Sequence, residues 1–261
     1  MESKESWLKT VILFVTEPLA EAERERKAYL KSENSVGPDW QVVGVLVLVA
    51  VVLSLQEYLL RPAEYAEFLH WLESSFSEMI NAETWMSPEN YRFGFLLYWA
   101  CGQTLLYVVP PVILIRFVWK KNLGDYGVKL KGVFSLWWMY FLMLGVMVPL
   151  VFVASRSEGF QATYPFFEPF PNESLWPRFL IWEGAYFLQF VGLEFFFRGF
   201  LLHGVRRQFG AYAIFVMMVP YCMIHFGKPM PETFAAIAAG IILGFMSLKT
   251  RSIWMGAALH V

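Results

Sequence analysis

Long apolar stretches separated by short polar segments run through most of this sequence. Six of them lie at about 41–60, 91–119, 133–154, 178–208, 211–225 and 233–248. A seventh begins after Arg251 and reaches the last residue within ten positions, so the chain as given is expected to end within a helix. Since roughly 20 apolar residues in a helix span a bilayer, the pattern predicts an all-α fold. We expect a polytopic transmembrane helical bundle of about seven spans, the last one cut short.

The first 40 residues carry a different pattern. A short apolar patch from Trp7 to Phe14 is followed by the charged run 21–27, and no small-residue cleavage site follows the patch. The patch is too short to span a membrane and does not resemble a signal peptide. We therefore expect an amphipathic helix on the membrane surface, followed by a solvated charged helix.

The connections between the predicted spans add further expectations. The acidic stretch 61–90 predicts one or two surface helices in an aqueous loop, and Pro110-Pro111 predicts a kink in the second span. The aromatic and proline-rich stretch 155–177 is typical of a structure that rests on the membrane surface over a site. Alternate connections, beginning with 1–40, are richer in Lys and Arg, which predicts a cytoplasmic N-terminus.

Composition excludes some functional classes. Hydrophobic residues make up 57% of the chain and charged residues 16%, whereas a soluble domain carries about 25% charged residues. The formal net charge of −1 provides no basic face for phosphates, so we expect no nucleic-acid partner. Cys101 and Cys222 both lie in apolar stretches and are predicted to be small core residues, not a disulfide or metal pair.

The candidate chemistry begins with a carboxylate inside an apolar stretch. Glu194 and Arg198 lie four residues apart, a spacing that places both side chains on one helix face with the acid first. A charge in hydrocarbon is costly unless it has a partner, so Glu194 is a functional-site candidate. The alternative is that the pair only joins two helices. The aromatic residues 195–197 are predicted to be packing residues.

Two histidines and a second carboxylate are expected near this pair. His225 ends the fifth apolar stretch, His260 lies in the last one, and Glu232 follows a proline-rich break. At about 1.5 Å per helical residue, Glu194 and both histidines fall around the middle of a core roughly 30 Å thick. Such a set suits either a hydrolytic metal site or a general base with an oxyanion partner. Either would activate water, and Arg198 would orient a carboxylate or stabilise developing negative charge.

Each of these residues also has a purely structural interpretation. His225 could be a hydrated interfacial histidine, His260 a hydrogen-bonding residue in helix packing, and Glu232 a solvated helix start. His203, on the opposite side of the helix from the candidate acid, and His70, in the acidic loop, are predicted to be bystanders.

Taken in order, these residues resemble three motifs of the CPBP family, the CAAX-protease and bacteriocin-processing intramembrane proteases, also called the Abi family. The motif Glu-Glu-x-x-x-Arg-Gly resembles residues 193–199, except that Leu193 replaces the first Glu. The motif Phe-x-x-x-His resembles residues 221–225, with tyrosine in the first position. The motif His-x-x-x-Asn or Asp would begin at His260 and end beyond Val261. The resemblance divides the chain into an N-terminal segment (1–40), transmembrane helices and loops (41–177) and a catalytic-type core (178–261).

The resemblance implies particular roles for these side chains. In the family a Glu and a His activate water, while a second His and an Asn hold the oxyanion. His225 would then be on the base side and His260 on the oxyanion side. Because Leu193 replaces the first Glu, either Glu194 takes the water-activating role, Glu232 supplies a second carboxylate, or the chain is catalytically silent. Whether a metal such as zinc is used is left open; if so, the ligands would be Glu194 and the two histidines.

The prediction that follows is an intramembrane endopeptidase of a bacterial inner membrane, surrounded by the lipid bilayer. It would use a Glu/His-activated water to hydrolyse a peptide bond of a membrane-anchored or membrane-delivered protein or peptide. A secreted peptide or a surface protein with a C-terminal sorting helix is a more plausible bacterial substrate than a prenylated CAAX protein. The alternative is a catalytically silent immunity or scaffold protein. A solute transporter is disfavoured because no inverted repeat is visible.

Overall fold

The computed structural model describes residues 2–32, 37–76, 82–130, 133–171 and 173–260, and in these ranges the fold is built from helices. Part of the predicted acidic loop (77–81) and Val261 lie outside the described residues. The α-helices are α1 Glu2–Leu30, α2 Trp40–Leu59, α3 Pro62–Ser75, α4 Ala82–Trp85, α5 Pro88–Ile113, α6 Trp137–Ala154, α7 Glu158–Gln161, α8 Arg178–Glu194, α9 Leu202–Phe209, α10 Ala213–Met223, α11 Met230–Thr250 and α12 Trp254–His260. Short 3₁₀ helices lie at Leu123–Tyr126, Val133–Leu136 and Gly210–Tyr212, and π-helices at Leu114–Val118 and Phe195–Leu201.

The described residues contain five helical stretches that are long and apolar enough to cross a membrane. They are Trp40–Leu59, Pro88–Val118, Trp137–Ala154, Arg178–Met223 and Met230–Thr250. A multi-pass helical membrane protein is therefore confirmed, but a count of seven spans is not. The predicted fourth and fifth spans fall in one run of helical residues that turns at Gly210, whose φ is 56°. The predicted seventh corresponds to α12, which has only 7 residues.

The expected amphipathic surface helix at the N-terminus is not confirmed. The structure has one continuous helix, α1, with Pro18 inside it, instead of two successive helices. Its charged half packs against α9 and the following turn, where Ala22 is buried. Glu25 forms ion pairs with Arg206 at 3.0 Å and with Arg251 at 2.8 Å. These pairs hold the charged half of α1 on the bundle, which explains why it is not a separate solvated helix.

The predicted kink in the second span coincides with a change of helix type. Helix α5 continues through Pro110 and Pro111 and becomes the π-helix Leu114–Val118. There the Trp119 N–H donates to the Leu114 carbonyl at 2.9 Å, five residues back. Proline lacks an N–H, so carbonyl groups one turn before it lose their usual hydrogen-bond donor. A wider helical turn beside the prolines is one way to give the carbonyl groups of this region other donors.

Helix α6 has no buried side chain among its described residues. Its 18 residues have a mean hydropathy of 2.0, and Trp137 and Trp138 at its start are exposed. An apolar surface of this extent is stable when it faces lipid instead of water. Helix α6 is therefore a peripheral, lipid-facing span.

The centre of the bundle is the π-helix Phe195–Leu201 between α8 and α9. Helix α8 packs along α5, and α10 packs along α11 and α9. All residues of the π-helix are buried, which confirms that the aromatic residues 195–197 are packing residues. Gly199 permits this density, because a Cβ there would lie 2.6 Å from the Tyr126 carbonyl oxygen.

Asp39 supports the start of α2 and is the basis of a first prediction. Its carboxylate accepts hydrogen bonds from the N–H groups of Gln41 and Val42 at 3.1 and 3.3 Å and from Arg207 Nε at 2.7 Å. Burial alone raises the pKa of this carboxyl group, but hydrogen bonds from Arg207, Tyr29 and the Val42 N–H outweigh burial and hold the pKa below its usual range.

Replacing Asp39 by alanine is expected to lower the free energy of unfolding by about 2–3 kcal/mol, since it removes a helix cap and a charged hydrogen bond. Because the folded-state pKa is below the unfolded value of about 3.9, this stabilisation is complete above that pH and is lost as the pH falls through the folded-state pKa. Thermal unfolding in detergent across pH 2.5–7 measures both effects. Asp125, whose side chain is 62% exposed in its pair with Lys129, is the control: Asp125→Ala should cost about 1 kcal/mol or less. Equal losses for the two variants would contradict the assignment.

Candidate active site

A cavity of about 460 Å³ opens among α2, α5, α8, α10 and α12. Apolar, aromatic and glutamine side chains line it, together with the charged side chains of Glu57, Arg61, Lys228 and Glu232. Tyr164 from the predicted aromatic loop also lines it. Phe167 of this loop is buried against α5, with ring centroids 5.7 Å from Phe93. The loop therefore covers one part of the cavity.

The carboxylate of Glu194 lies at the end of α8, fully buried behind the cavity wall. Its Oε1 is 2.9 Å from Arg198 Nη1 and 3.1 Å from His260 Nδ1. The predicted i, i+4 contact between Glu194 and Arg198 is thus present, and both residues are 0% exposed. Neither carboxylate oxygen has a hydrogen bond of ordinary geometry to a described residue, so Glu194 keeps acceptor capacity.

His260 connects this buried carboxylate to the cavity. One ring nitrogen, Nδ1, faces Glu194, and the other, Nε2, lies 3.2 Å from the Tyr221 hydroxyl. The ring stacks on Phe190, with centroids 5.1 Å apart and planes within 4° of parallel. His260 lines the cavity, whereas Glu194 does not. The carboxylate of Glu194 therefore lies within ion-pair distance of a ring that lines the cavity.

The close approach of α12 to α8 depends on Gly256. A Cβ on this residue would lie 2.5 Å from the carboxyl carbon of Glu194 and closer still to its Oε2. Glycine therefore lets α12 approach α8 this closely without displacing the Glu194 carboxylate.

Tyr221 is a site residue whose role was not predicted. In the sequence it only occupies the phenylalanine position of the second motif. In the structure its ring lies 3.8 Å from the guanidinium carbon of Arg198, a cation–π contact that partly compensates the buried charge. Its hydroxyl faces His260. The tyrosine thus contacts both partners of Glu194.

His225 lies in the turn after α10 and also lines the cavity. Its Nδ1 donates to the Tyr221 carbonyl at 2.8 Å, which leaves Nε2 of the neutral ring as an acceptor. The Thr233 hydroxyl donates to the His225 carbonyl at 2.8 Å and holds the turn against α11. His225 and His260 therefore meet at one cavity, while Glu194 stands behind His260.

Glu232 lines the cavity and has partners of its own. It accepts from the Tyr164 hydroxyl at 2.8 Å and from Lys228 Nζ at 2.8 Å. Burial, together with the hydrogen bond to Glu232, raises the pKa of Tyr164 above its usual range, so the phenol remains a donor. Glu232 is thus a paired carboxylate that joins the aromatic loop to α11, not a group in contact with Glu194.

The described residues include no group of three or more His, Cys, Asp or Glu side chains placed to hold a metal ion. In this arrangement Arg198 occupies one side of the Glu194 carboxylate and His260 another. The set Glu194, His225 and His260 therefore does not fit a metal ion in this arrangement. The remaining histidines lie elsewhere: His203 contacts the Ser247 hydroxyl at 3.2 Å, and His70 is exposed on α3.

The site lies in a segment of the chain that matches a known protein family. Residues 174–261 match the model of a family described as type II CAAX prenyl endopeptidase Rce1-like. Over this segment, called the Rce1-like segment below, the chain is similar to that family. The match confirms the family predicted from the motifs, and the Rce1-like segment contains Glu194, Arg198, His225, Glu232 and His260. No curated protein and no solved structure matches the chain.

The Rce1-like segment does not form the cavity alone. Helices α2 and α5 and the aromatic loop precede it in the chain and contribute Gln56, Gln103 and Tyr164 to the lining. From within the segment, Gln189 faces Gln103 across the α5–α8 contact at 2.9 Å. These glutamines could have been noticed from the sequence, because polar side chains in apolar spans are rare. Their meeting at one cavity could not.

Proposed function

We propose that this protein is an intramembrane endopeptidase that hydrolyses a peptide bond of a membrane-associated protein or peptide. The supporting observation is the fully buried Glu194 carboxylate in contact with His260, which in turn lines a cavity with His225. The Rce1-like match supports an endopeptidase of the CAAX type. The N-terminus is proposed to be cytoplasmic and the membrane to be a bacterial inner membrane, from the Lys/Arg distribution and the resemblance.

The two imidazoles supply the acid–base chemistry in this proposal. His225, on the base side, takes a proton from a water molecule as the water oxygen bonds to the scissile carbonyl carbon. The tetrahedral intermediate then collapses, the C–N bond breaks, and that proton passes to the leaving nitrogen. His260, on the oxyanion side, donates a hydrogen bond to the carbonyl oxygen as this oxygen gains negative charge. Glu194 supports His260 during the reaction, and Arg198 forms an ion pair with the Glu194 carboxylate.

Leu193 bears on how this chain performs the reaction. It occupies the position of the first motif Glu, is 5% exposed and lines the cavity. A leucine there cannot activate water, so the proposal assigns that step to His225, while Glu194 supports His260. Glu232 is proposed to act at the cavity margin through Tyr164 and Lys228.

Mass spectrometry of protein termini tests the proposal. Membrane and secreted proteins from cells with and without the wild-type protein would be compared, and purified protein in liposomes would be incubated with a synthetic peptide ending in farnesylated Cys-Val-Ile-Met. Shifted termini on a small set of proteins would identify endogenous substrates, and cleavage of the synthetic peptide would show a CAAX-type specificity. If no termini shift and the synthetic peptide is not cleaved, while the cells keep the biological activity that depends on this protein, the catalytically silent immunity or scaffold alternative would be favoured.

Replacing His225 by alanine is expected to lower cleavage about 10²-fold or more, because proton transfer by a positioned side chain contributes about that much. The variant should unfold at nearly the wild-type temperature, since His225 is only partly buried. His70→Ala, on the exposed face of α3, is the matched control and should cleave at the wild-type rate. Full cleavage by the His225 variant would remove this residue from the proposed mechanism.

A further inference from the structure

The cavity lies toward one end of the helical bundle, called the cavity end below. Helix α2 contributes residues of its last two turns, the turn after α10 contributes His225 and Lys228, and the first turn of α11 contributes Glu232. Tyr164 of the aromatic loop lines the same end, while the middle of α5 and the second half of α8 form the deeper wall. The cavity end carries the connections 60–92, 155–178 and 224–232.

Four charged side chains make the cavity end an aqueous opening. Glu57 pairs with Arg61 at 2.7 Å, and Lys228 pairs with Glu232 at 2.8 Å. All four line the cavity, and the side chains of Glu57 and Arg61 are 71% and 45% exposed. Charged side chains in a membrane protein face water or a water-filled cavity. Water therefore reaches His225, three residues before Lys228, from this end.

The opposite end of the bundle, called the α1 end below, is closely packed. The π-helix Phe195–Leu201 is buried there, and the Trp119 ring stacks on Phe200 with centroids 6.3 Å apart. The charged half of α1 packs against α9 and the following turn, and Arg26 Nε donates to the Gln208 carbonyl at 2.9 Å. A peptide that came from the α1 end would have to pass both α1 and the π-helix to reach the histidines.

Lysine and arginine are distributed unequally between the two ends. The connections of the cavity end contain five of them, whereas the connections 114–136, 206–212 and 249–253 of the α1 end contain nine. The segment 1–40 adds six more at the α1 end. An excess of Lys and Arg in short connections is typical of the cytoplasmic side. This distribution, on which the proposed cytoplasmic N-terminus also rests, predicts that the cavity end faces away from the cytoplasm.

We infer that the cavity opens on the non-cytoplasmic side of the membrane and receives polypeptide segments that have already crossed it. The inference rests on the proposed function for the identity of the ligand as a peptide. It specifies the substrate class as an exported peptide or the non-cytoplasmic segment of a membrane-anchored protein, so translocation must precede cleavage. A C-terminus that stays in the cytoplasm is separated from the histidines by α1 and the π-helix, even if it carries a CAAX sequence.

Thiol labelling of intact spheroplasts tests the side on which the cavity opens. Cys101 and Cys222 would be replaced by alanine, and one cysteine would be introduced by Lys228→Cys in the cavity or by Asp125→Cys at the α1 end. A membrane-impermeant maleimide should label the Lys228→Cys protein in intact spheroplasts and the Asp125→Cys protein only after lysis. Arg61→Cys, which also lines the cavity, replaces Lys228→Cys if that variant does not accumulate. The reverse pattern, labelling of both proteins in intact spheroplasts, or no labelling of the cavity cysteine even after lysis would overturn the inference.

The position of the cleaved bonds tests the substrate class. Protein termini would be compared between cells that express the wild-type protein and cells that express the His225→Ala protein. Termini that depend on the wild-type protein should lie in exported chains or in non-cytoplasmic segments of membrane proteins, and blocking protein export should abolish them. Such termini in cytoplasmic segments, or their persistence when export is blocked, would contradict the inference. If labelling gives the expected pattern but no such terminus is found, the proposed function fails while the side of the cavity stands.

Discussion

Replacing Glu194 by glutamine is expected to lower peptide cleavage by about 10³-fold or more, a larger loss than that expected for His225→Ala. The carboxylate contacts His260 at 3.1 Å, and an amide there cannot stabilise a protonated imidazole or hold its tautomer. In proteases where a carboxylate supports an imidazole in this way, the equivalent change costs about 10⁴-fold. Initial rates of cleavage by protein in liposomes measure the effect.

A second consequence of this substitution must be separated from the first. Glutamine leaves the fully buried Arg198 without its counter-charge, and breaking a buried pair in this way costs about 3–5 kcal/mol. The double variant Glu194→Gln/Arg198→Met removes both charges, and we expect it to regain most of the thermal stability without regaining cleavage. Glu183→Gln, exposed on the same helix, should change neither property. Recovery of cleavage in the double variant would show that Glu194 serves only the fold.

Replacing Gly256 by alanine is expected to lower cleavage about 10²-fold, although the residue carries no side chain and performs no chemistry. The added Cβ would lie 2.5 Å from the Glu194 carboxyl carbon, so either the carboxylate or α12 must move. A displacement of about 1 Å at a catalytic group costs about 10²-fold, and overpacking costs about 1–3 kcal/mol of stability. Cleavage rate and thermal unfolding in detergent measure the two effects.

The chain offers a matched control for this change. Gly184 lies on α8, where an added Cβ would meet nothing within 4 Å. Gly184→Ala should preserve cleavage and stabilise the helix by up to about 1 kcal/mol, because alanine favours the helix over glycine. Equal cleavage by the two alanine variants would mean that the contact between α12 and α8 does not position His260.

Two parts of the chain line the cavity. The Rce1-like segment contributes the histidines and the buried ion pair, while α2, α5 and the aromatic loop contribute amides and Tyr164. This division matches the proposed chemistry. The reaction would depend on residues 174–261, and recognition of the substrate would depend on both parts.

Helices and motifs were predictable because they depend on residues close together in the chain. Apolar stretches of sufficient length predict membrane spans, and the i, i+4 spacing of Glu194 and Arg198 predicts their contact, since both follow from helix geometry. The points at which the helices turn or change course were less predictable. The number of spans depends on whether the chain turns at Gly210, and the course of α1 depends on ion pairs with residues about 180 to 230 positions away.

What the sequence by itself determined is the all-helical membrane fold, the family that the last third resembles and the residues that carry the resemblance. Only the tertiary structure decided that Glu194 stands behind His260, that Tyr221 joins His260 to Arg198, and that three glutamines face one cavity. These contacts join helices that are distant in sequence, and their geometry depends on how closely the helices pack. At Gly256 the absence of a Cβ lets α12 lie close to the Glu194 side chain of α8. This effect is visible only once the two helices are packed together.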